Sequence, residues 1–221
     1  MKLVVFLVGI SLCAQVAQKA NERYKTEQSR REIVRTLTDP SRDARQRPKE
    51  LIGAIGVKSG MTVVDLGTGP GYMLPHLSAA VGASGVVIGE DIFPDFLAKA
   101  RENTAALKNV RLVQGTDKDT KLEAALAELI LVLDVYHHLD YPADTLAQLR
   151  RALKPGGRLA IVEYHKNDIA TDGRAKEHVR LTQADAIAEV EKNGFRLVSK
   201  RDFVPDVQWL GLFEVSPTRN Q

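Results

Sequence analysis

Short apolar runs alternate with amphipathic stretches from residue 50 onward, and this alternation restricts the fold more than any other feature. Runs bounded by Gly, Asn, Asp or Pro predict strands; they cover residues 62–65, 85–89, 110–114, 129–133 and 158–163. Helical periodicity lies between them, at residues 72–81, 93–104 and 143–153. Strands that alternate with helices predict a parallel sheet with helices on both faces.

The last part of the chain departs from this alternation. Thr182, with Asp185 three residues later, predicts the start of a helix that ends at Asn193 and Gly194. Two strand-like runs follow directly, at residues 195–203 and 207–215. We therefore predict an α/β fold: a doubly wound, mostly parallel sheet of seven strands with a C-terminal antiparallel hairpin.

The front of the chain predicts a separate organisation. Residues 3–14 are apolar or small, too short a run for the ~20 residues that span a bilayer, and closer to a signal-peptide core. We expect residues 1–20 to be a signal peptide or membrane anchor, with membrane association through residues 3–16 and an exported, periplasmic or anchored protein. The alternative is a buried N-terminal helix in a cytoplasmic protein. Residues 21–49 predict a charged helix and linker, and residues 50–221 the domain.

Composition excludes several kinds of chemistry. Cys13 is the single cysteine and lies in the apolar leader, so the domain has no thiol for a disulfide, a metal or nucleophilic catalysis. The net charge of +3 arises at the front of the chain. Because the sequence has no basic block with interleaved aromatic residues, we expect no nucleic-acid partner.

The most specific motif is a glycine-rich turn between a predicted strand and a predicted helix. Asp65 ends the strand, and Gly67, Gly69 and Gly71 follow at alternate positions before Tyr72. Glycines at these positions let backbone amides approach a ligand closely. The dinucleotide fingerprint is Gly-x-Gly-x-x-Gly, and here the third glycine comes one residue early. Together with the Asp65 carboxylate, this spacing favours a cofactor that carries an ammonium group and no phosphate.

This motif resembles that of the class I S-adenosylmethionine-dependent methyltransferase superfamily. The resemblance covers about 150 residues, and acidic residues recur at the ends of the next two predicted strands. It implies a Rossmann-like methyltransferase fold and S-adenosylmethionine as cofactor. The cofactor-binding residues that it implies are Asp65, Gly67, Thr68, Gly69, Gly71, Tyr72, Asp91, Ile92, Asp117 and Asp134. Asp91, with Glu90 in reserve, is expected to bind the ribose, and Asp117 the adenine amine.

Two further motifs narrow the resemblance. Asp39-Pro-Ser-Arg42 and Tyr136-His-His138 are similar to motifs in a group of bacterial methyltransferases with a leader peptide, near the type 11 and quinone-biosynthesis branches. The resemblance implies an unidentified small or hydrophobic acceptor. It places His137, His138 and Tyr136 next to the reacting centre, where a histidine can act as a general base and Tyr136 as a pocket wall.

Other functions stay open at this point. A protein that binds S-adenosylmethionine without catalysis would bind the cofactor and methylate nothing, and a nicotinamide-dependent oxidoreductase is disfavoured by the glycine spacing. Glu163 and His165 are expected near the acceptor or as caps of the next loop. Asp134 and Asp168 lack a convincing metal-ligand spacing, so no metal is predicted.

Overall fold

The computed structural model describes residues 15–167, 169 and 175–217 of the 221-residue chain. The predicted leader core and Asp168 lie outside the described residues. The seven described strands are β1 Thr62–Leu66, β2 Val86–Asp91, β3 Val110–Gln114, β4 Ala127–Leu133, β5 Leu153–Tyr164, β6 Phe195–Val204 and β7 Gln208–Val215.

These strands form one sheet in the order β3-β2-β1-β4-β5-β7-β6. The first five strands pair in parallel, while β7 runs antiparallel to both β5 and β6. The strand order reverses at β1, whose carboxyl end therefore meets the carboxyl ends of β2 and β4. Ligands bind at such a switch point in open α/β sheets. The predicted fold class, including the C-terminal hairpin, is confirmed.

The described helices are α1 Gln18–Asn21, α2 Glu27–Leu37, α3 Arg42–Gln46, α4 Pro48–Ile55, α5 Leu74–Val81, α6 Pro94–Asn103, α7 Pro142–Ala152, α8 Ala175–His178 and α9 Gln183–Lys192. Short 3-10 turns cover Glu22–Tyr24 and Tyr136–His138. Within the described part of the chain, none of these helices has the length and hydropathy that crossing a membrane requires.

The core has two layers, one on each face of the sheet. Helices α4, α5 and α6 cover one face, and α7 and α9 cover the other. Adjacent strand residues such as Val63 and Val64 point into opposite layers, because successive side chains of a strand alternate between its faces. Both faces are therefore buried, which explains why the central strands are apolar runs without a polar face.

Local signals set several boundaries. The Thr182 hydroxyl accepts a hydrogen bond from the Asp185 amide at 3.2 Å, and it caps α9 as predicted. Strand β5 starts earlier than predicted. Leu153 already pairs with Ala127, and regular pairing with β4 resumes only at Arg158 after a bulge. Pro155, Gly156 and Gly157, residue types typical of turns, therefore lie inside an extended segment, with Gly156 at a φ of 76°.

Candidate functional site

The glycine turn after β1 adopts a backbone that side chains would strain. Gly67 and Gly69 have φ angles of 67° and 57°, in the left-handed region. A Cβ atom on Gly67 would lie 2.6 Å from both Cγ atoms of Val135, so any larger residue would displace the loop after β4. The sequence thus brings the turn after β1 and the loop after β4 into direct contact across the switch point.

Buried carboxylates line the carboxyl ends of β1 and β2. The Thr68 hydroxyl donates to Asp65 Oδ2 at 2.6 Å, and Asp91 accepts from the amides of Gly69 at 2.8 Å and Phe93 at 2.9 Å. Burial raises the pKa of Asp65 and of Asp91 to about 6 in each case. Such groups favour a ligand that brings positive charge or hydrogen-bond donors.

Glu90 supplies a second carboxylate beside Asp91. It is buried, and its Oε1 atom has no hydrogen-bond partner among the described residues. Burial, followed by the charge of Asp91, raises its pKa well above the ordinary value. A Cβ atom on Gly115 would lie 2.0 Å from this oxygen, so Gly115 makes room for it. An unpaired buried oxygen is costly, and hydroxyl or amine donors of a nucleoside would relieve that cost.

Asp134 lies at the end of β4 between two glutamines. Gln46 donates to its Oδ2 at 2.6 Å and Gln208 to its Oδ1 at 2.7 Å. Burial and the nearby charge of Glu163 raise its pKa to about 6. Because Gln46 belongs to α3 and Gln208 to β7, the carboxylate joins the N-terminal helices to the C-terminal hairpin at the site.

Three histidines meet at the other end of the site. The ring centroids of His137 and His138 are 4.1 Å apart, and that of His178 lies 4.7 and 5.1 Å from them. Nδ1 of His137 bonds Glu163 Oε2 at 2.7 Å. Burial alone lowers the pKa of His137, but the charge of Glu163 and this hydrogen bond outweigh burial and leave the pKa raised. Burial, then the charges of the other two histidines, hold the pKa of His138 well below its usual range.

The N-terminal segment closes the site. The Asn21 side chain donates to the His138 carbonyl at 3.0 Å, and its Oδ1 atom lies 2.8 Å from His138 Nδ1. Tyr24 stacks on Phe93 with ring centroids 5.9 Å apart and meets His138 edge-on at 4.7 Å. Arg42 places its guanidinium 4.2 Å from the Tyr72 ring centroid, where its charge acts on Asp65 and Asp134.

Together these residues enclose a cavity of about 500 Å³, within the range of about 300–1,000 Å³ usual for small-molecule sites. Most predicted site residues line it: Gly67, Thr68, Gly69, Asp91, Ile92, Asp117, Asp134, His137 and His138. Asp117 lies at the exposed tip of the loop after β3, where the Thr116 hydroxyl accepts from the Asp119 amide. The inserted Thr116 therefore forms a turn that brings Asp117 to the rim.

Four predicted residues lie outside the cavity lining. Asp65 is buried beneath Thr68. Gly71 allows close packing on α6, because a Cβ atom on Gly71 would lie only 3.1 Å from the Cβ of Ala100. The Tyr72 hydroxyl donates to Asp43 at 2.8 Å. The Tyr136 hydroxyl donates to Glu189 at 2.7 Å on α9, within the core; its side chain points away from the reacting centre that the motif implied.

Several residues that line the cavity were not predicted from the sequence. Asn21, Tyr24 and Gln46 lie in the segment expected to be a linker, yet all line the cavity. His178 also lines it, from a helix of four residues. Arg42 belongs to the Asp39-Pro-Ser-Arg42 motif, so the motif did point to it. Glu163, which was expected near the acceptor or as a cap, bonds His137 through Oε2 and accepts from the Tyr164 amide through Oε1.

Comparison with known proteins agrees with this geometry. Residues 64–161 match the family described as methyltransferase domain. A methyltransferase structure from Aquifex aeolicus, named as S-adenosylmethionine dependent, is 28% identical, with a TM-score of 0.78; the alignment covers 83% of this chain and 97% of that one. The chain has a Rossmann-like methyltransferase fold, and its residues 64–161 match a methyltransferase domain. The prediction of S-adenosylmethionine as its cofactor is confirmed by the same two matches.

Curated relatives match this methyltransferase domain over part of their length. A 37.1 kDa protein from a transposon of Streptomyces fradiae is 32% identical over 68% of this chain and 44% of its own. The demethylmenaquinone methyltransferase of Staphylococcus aureus is 30% identical over 52% of this chain and 48% of its own. A ubiquinone/menaquinone biosynthesis C-methyltransferase of Citrobacter koseri is 32% identical over 52% and 47%. The chain thus spans less than half the length of these relatives.

Proposed function

We propose that this protein transfers a methyl group from S-adenosylmethionine to a small acceptor, and that the acceptor carries a flat ring. The observation that carries the proposal is the division of the cavity: buried carboxylates lie at the ends of β1 and β2, and imidazole and aromatic rings lie at the ends of β4 and β5. The first end suits a nucleoside with an ammonium group, and the second suits a ring-shaped acceptor.

The residues of the first end fit the cofactor. Glu90 Oε1 lacks a partner among the described residues, and a ribose hydroxyl is the donor it needs. The two oxygens of Asp91 are held by backbone amides, so its carboxylate is preoriented towards the same sugar. Asp65 adds negative charge below the glycine turn. Bound there, the cofactor supplies an electrophilic methyl group on a sulfonium.

The residues of the second end orient the acceptor. Methyl transfer needs the nucleophile in line, about 3 Å from the methyl carbon, and orientation supplies most of the rate gain. His137, His138 and Tyr164 bring rings to the cavity at the ends of β4 and β5, and rings of this kind stack on flat rings. Quinone-ring acceptors, the class in the names of two of the curated relatives, are therefore the first to test. If the acceptor loses a hydroxyl proton, His137 next to Glu163 is placed to take it in the metal-free protein.

Calorimetric titration of the full chain with S-adenosylmethionine, S-adenosylhomocysteine and NADH tests the cofactor. We expect binding of the first two and none of NADH; binding of NADH alone would instead indicate an oxidoreductase. Transfer of a labelled methyl group to demethylated quinols then tests the acceptor class. Cofactor binding without transfer to any acceptor would indicate a protein that senses the cofactor.

Two variants test the assignment of the ribose site. Asp91→Ala and Glu90→Gln should each weaken S-adenosylmethionine binding by a few kcal/mol at most, the value of hydrogen bonds to a charged group. Glu102→Gln, which removes an exposed carboxylate paired with Lys99 on α6, is the matched control and should bind as the wild type. Unchanged affinity in both site variants would show that the ribose lies elsewhere.

We also propose that residues 3–16 direct the protein to the membrane or across it. The apolar run of residues 3–14 supports this placement. Fractionation of cells, followed by protease treatment after the outer envelope is opened, tests it. Digestion of the domain indicates export, whereas protection in the membrane fraction indicates an inward-facing anchor. Recovery of intact protein in the cytosol alone would contradict the proposal.

A further inference from the structure

The three histidines of the cavity come from separate elements and present ring nitrogens to one another. His137 and His138 lie in the 3-10 turn after β4, and His178 ends α8. One ring nitrogen from each lies within 4.8 Å of the others. Packing alone does not require three imidazoles at one point, since aliphatic side chains fill buried space without polar atoms.

The surroundings of two of these histidines supply a second, independent observation. Nδ1 of His137 is held by the Glu163 carboxylate at 2.7 Å, and Nδ1 of His138 faces the Asn21 amide oxygen at 2.8 Å. Histidines that bind metals typically donate their second ring nitrogen to a carboxylate or carbonyl oxygen, which fixes the tautomer and turns the other nitrogen towards the ion. In both histidines an oxygen lies at Nδ1, which leaves Nε2 as the nitrogen for an ion.

The charges nearby favour a cation at this point. Glu163 touches His137 directly, and the charge of Asp134 also acts on its ring. Arg180 is the opposing charge that acts on His137, but its guanidinium is paired with Glu189. Two carboxylates therefore offset the charge of a divalent ion beside three neutral ligands.

We propose that His137, His138 and His178 bind a divalent transition-metal ion. Three imidazoles suit zinc, cobalt, nickel, copper or iron, whereas magnesium and calcium prefer oxygen ligands. Metal–nitrogen bonds of about 2.0–2.1 Å place tetrahedral ligand atoms roughly 3.3 Å apart. Because the ring nitrogens lie within 4.8 Å of one another, they approach by at most about 1.5 Å when the ion binds. Rotation of the histidine side chains supplies this movement.

Three protein ligands leave one position of a tetrahedral ion for another molecule, the arrangement of catalytic rather than structural zinc sites. All three histidines line the cavity, so this position faces its interior. On the proposed function, an acceptor hydroxyl binds the ion at this position, releases its proton to solvent and is held as its anion. The ion then uses the ring nitrogen with which His137 would otherwise accept a proton. The metal-binding proposal itself does not depend on methyl transfer.

Cobalt titration of the full chain, after chelator treatment and dialysis, tests the site. We expect one Co²⁺ per chain, with the visible absorption of a nitrogen-ligated ion, and competition by Zn²⁺. Glu163→Gln and Asn21→Ala, which alter the oxygen atoms behind two ligands, should weaken binding by about 10–100-fold. His178→Ala removes a ligand and should weaken it further. His76→Ala is the matched control, because His76 lies beside Asp43 and outside the cluster; it should bind Co²⁺ as the wild type.

Circular dichroism and S-adenosylmethionine titration of each variant separate lost ligands from a lost fold. If His178→Ala does not fold, the site is tested by the Co²⁺ affinities of Glu163→Gln and Asn21→Ala and by a Co²⁺-dependent rise in the Tm of the wild type. Absence of Co²⁺ binding to the wild type, or equal affinity in the wild type and a folded His178→Ala variant, would overturn the metal site. Because S-adenosylmethionine binding is measured separately, that result would leave the proposed function standing.

Discussion

Replacement of Asp65 by asparagine should make the cofactor-free protein more stable at neutral pH. Asp65 is 3% exposed, and burial raises its pKa from 3.8 to about 6. A shift of about 2 units corresponds to about 3 kcal/mol of preference for the protonated form in the folded state. Asparagine keeps the acceptor oxygen for the Thr68 hydroxyl, which lies 2.6 Å from Asp65 Oδ2, and carries no charge.

The direction of the pH dependence follows from the raised pKa. A carboxyl whose folded-state pKa exceeds its unfolded value stabilises the fold while protonated, below the unfolded pKa of 3.8. That contribution is lost as the pH rises through about 6. The free energy of unfolding of Asp65→Asn minus that of the wild type should therefore be small near pH 4 and reach about 2–3 kcal/mol near pH 8.

Urea denaturation of both proteins without cofactor, at the two pH values, measures this difference. Contributions from titrating groups distant from Asp65 cancel in the comparison. Loss of the Asp65 charge also removes one cause of the raised pKa of Glu90, which changes the difference in the same direction. Glu123→Gln, at an exposed carboxylate, is the control and should give a difference that does not change with pH. A constant difference for Asp65→Asn, or a variant less stable than the wild type near pH 8, would refute the reasoning. The variant should also bind S-adenosylmethionine more weakly, since it loses the charge below the turn.

Three further predictions concern single elements. Thr182→Ala should cost about 1 kcal/mol of stability by removing the cap of α9, with unchanged S-adenosylmethionine affinity; urea denaturation and calorimetry measure both, and Thr182→Ser should restore the loss. Gly67→Ala should cost about 1–3 kcal/mol, because its φ of 67° and the 2.6 Å approach to Val135 strain any side chain, and a wild-type melting temperature would contradict this. Deletion of residues 15–47 should preserve the sheet by circular dichroism but weaken binding of ring-shaped acceptors, whereas unchanged acceptor binding would show that Asn21 and Tyr24 contribute nothing.

The sheet was predictable because its signals are local. Each central strand is a short apolar run, and the Thr182 cap and the consecutive runs after residue 194 indicate α9 and the hairpin without any tertiary contact. The start of β5 was not predictable, because Pro155 and two glycines indicate a turn, while pairing of Leu153 with Ala127 depends on a strand more than 20 residues away.

The site was predictable at the glycine turn and at the acidic strand ends, where one motif holds both the geometry and the chemistry. The rest of the cavity wall was not predictable, because its residues are polar and their burial depends on partners that are distant in sequence. Gln46 bonds Asp134, which lies 88 positions later, and nothing near Gln46 in sequence indicates this contact. His178 likewise reaches the cluster from 40 residues beyond His138 through tertiary packing alone.

Asn21 contacts both the ring and the carbonyl of His138, and the amide of Ala17 bonds the Asp140 side chain at 3.2 Å. Ala17 and Ala20 are both buried. Removal of a leader after residue 14 would leave these contacts intact, whereas a cut after residue 20 would discard both alanines and place a new, charged amino terminus on Asn21. If the proposed leader is cleaved, the position of the cut would therefore determine whether a positive charge lies next to His138.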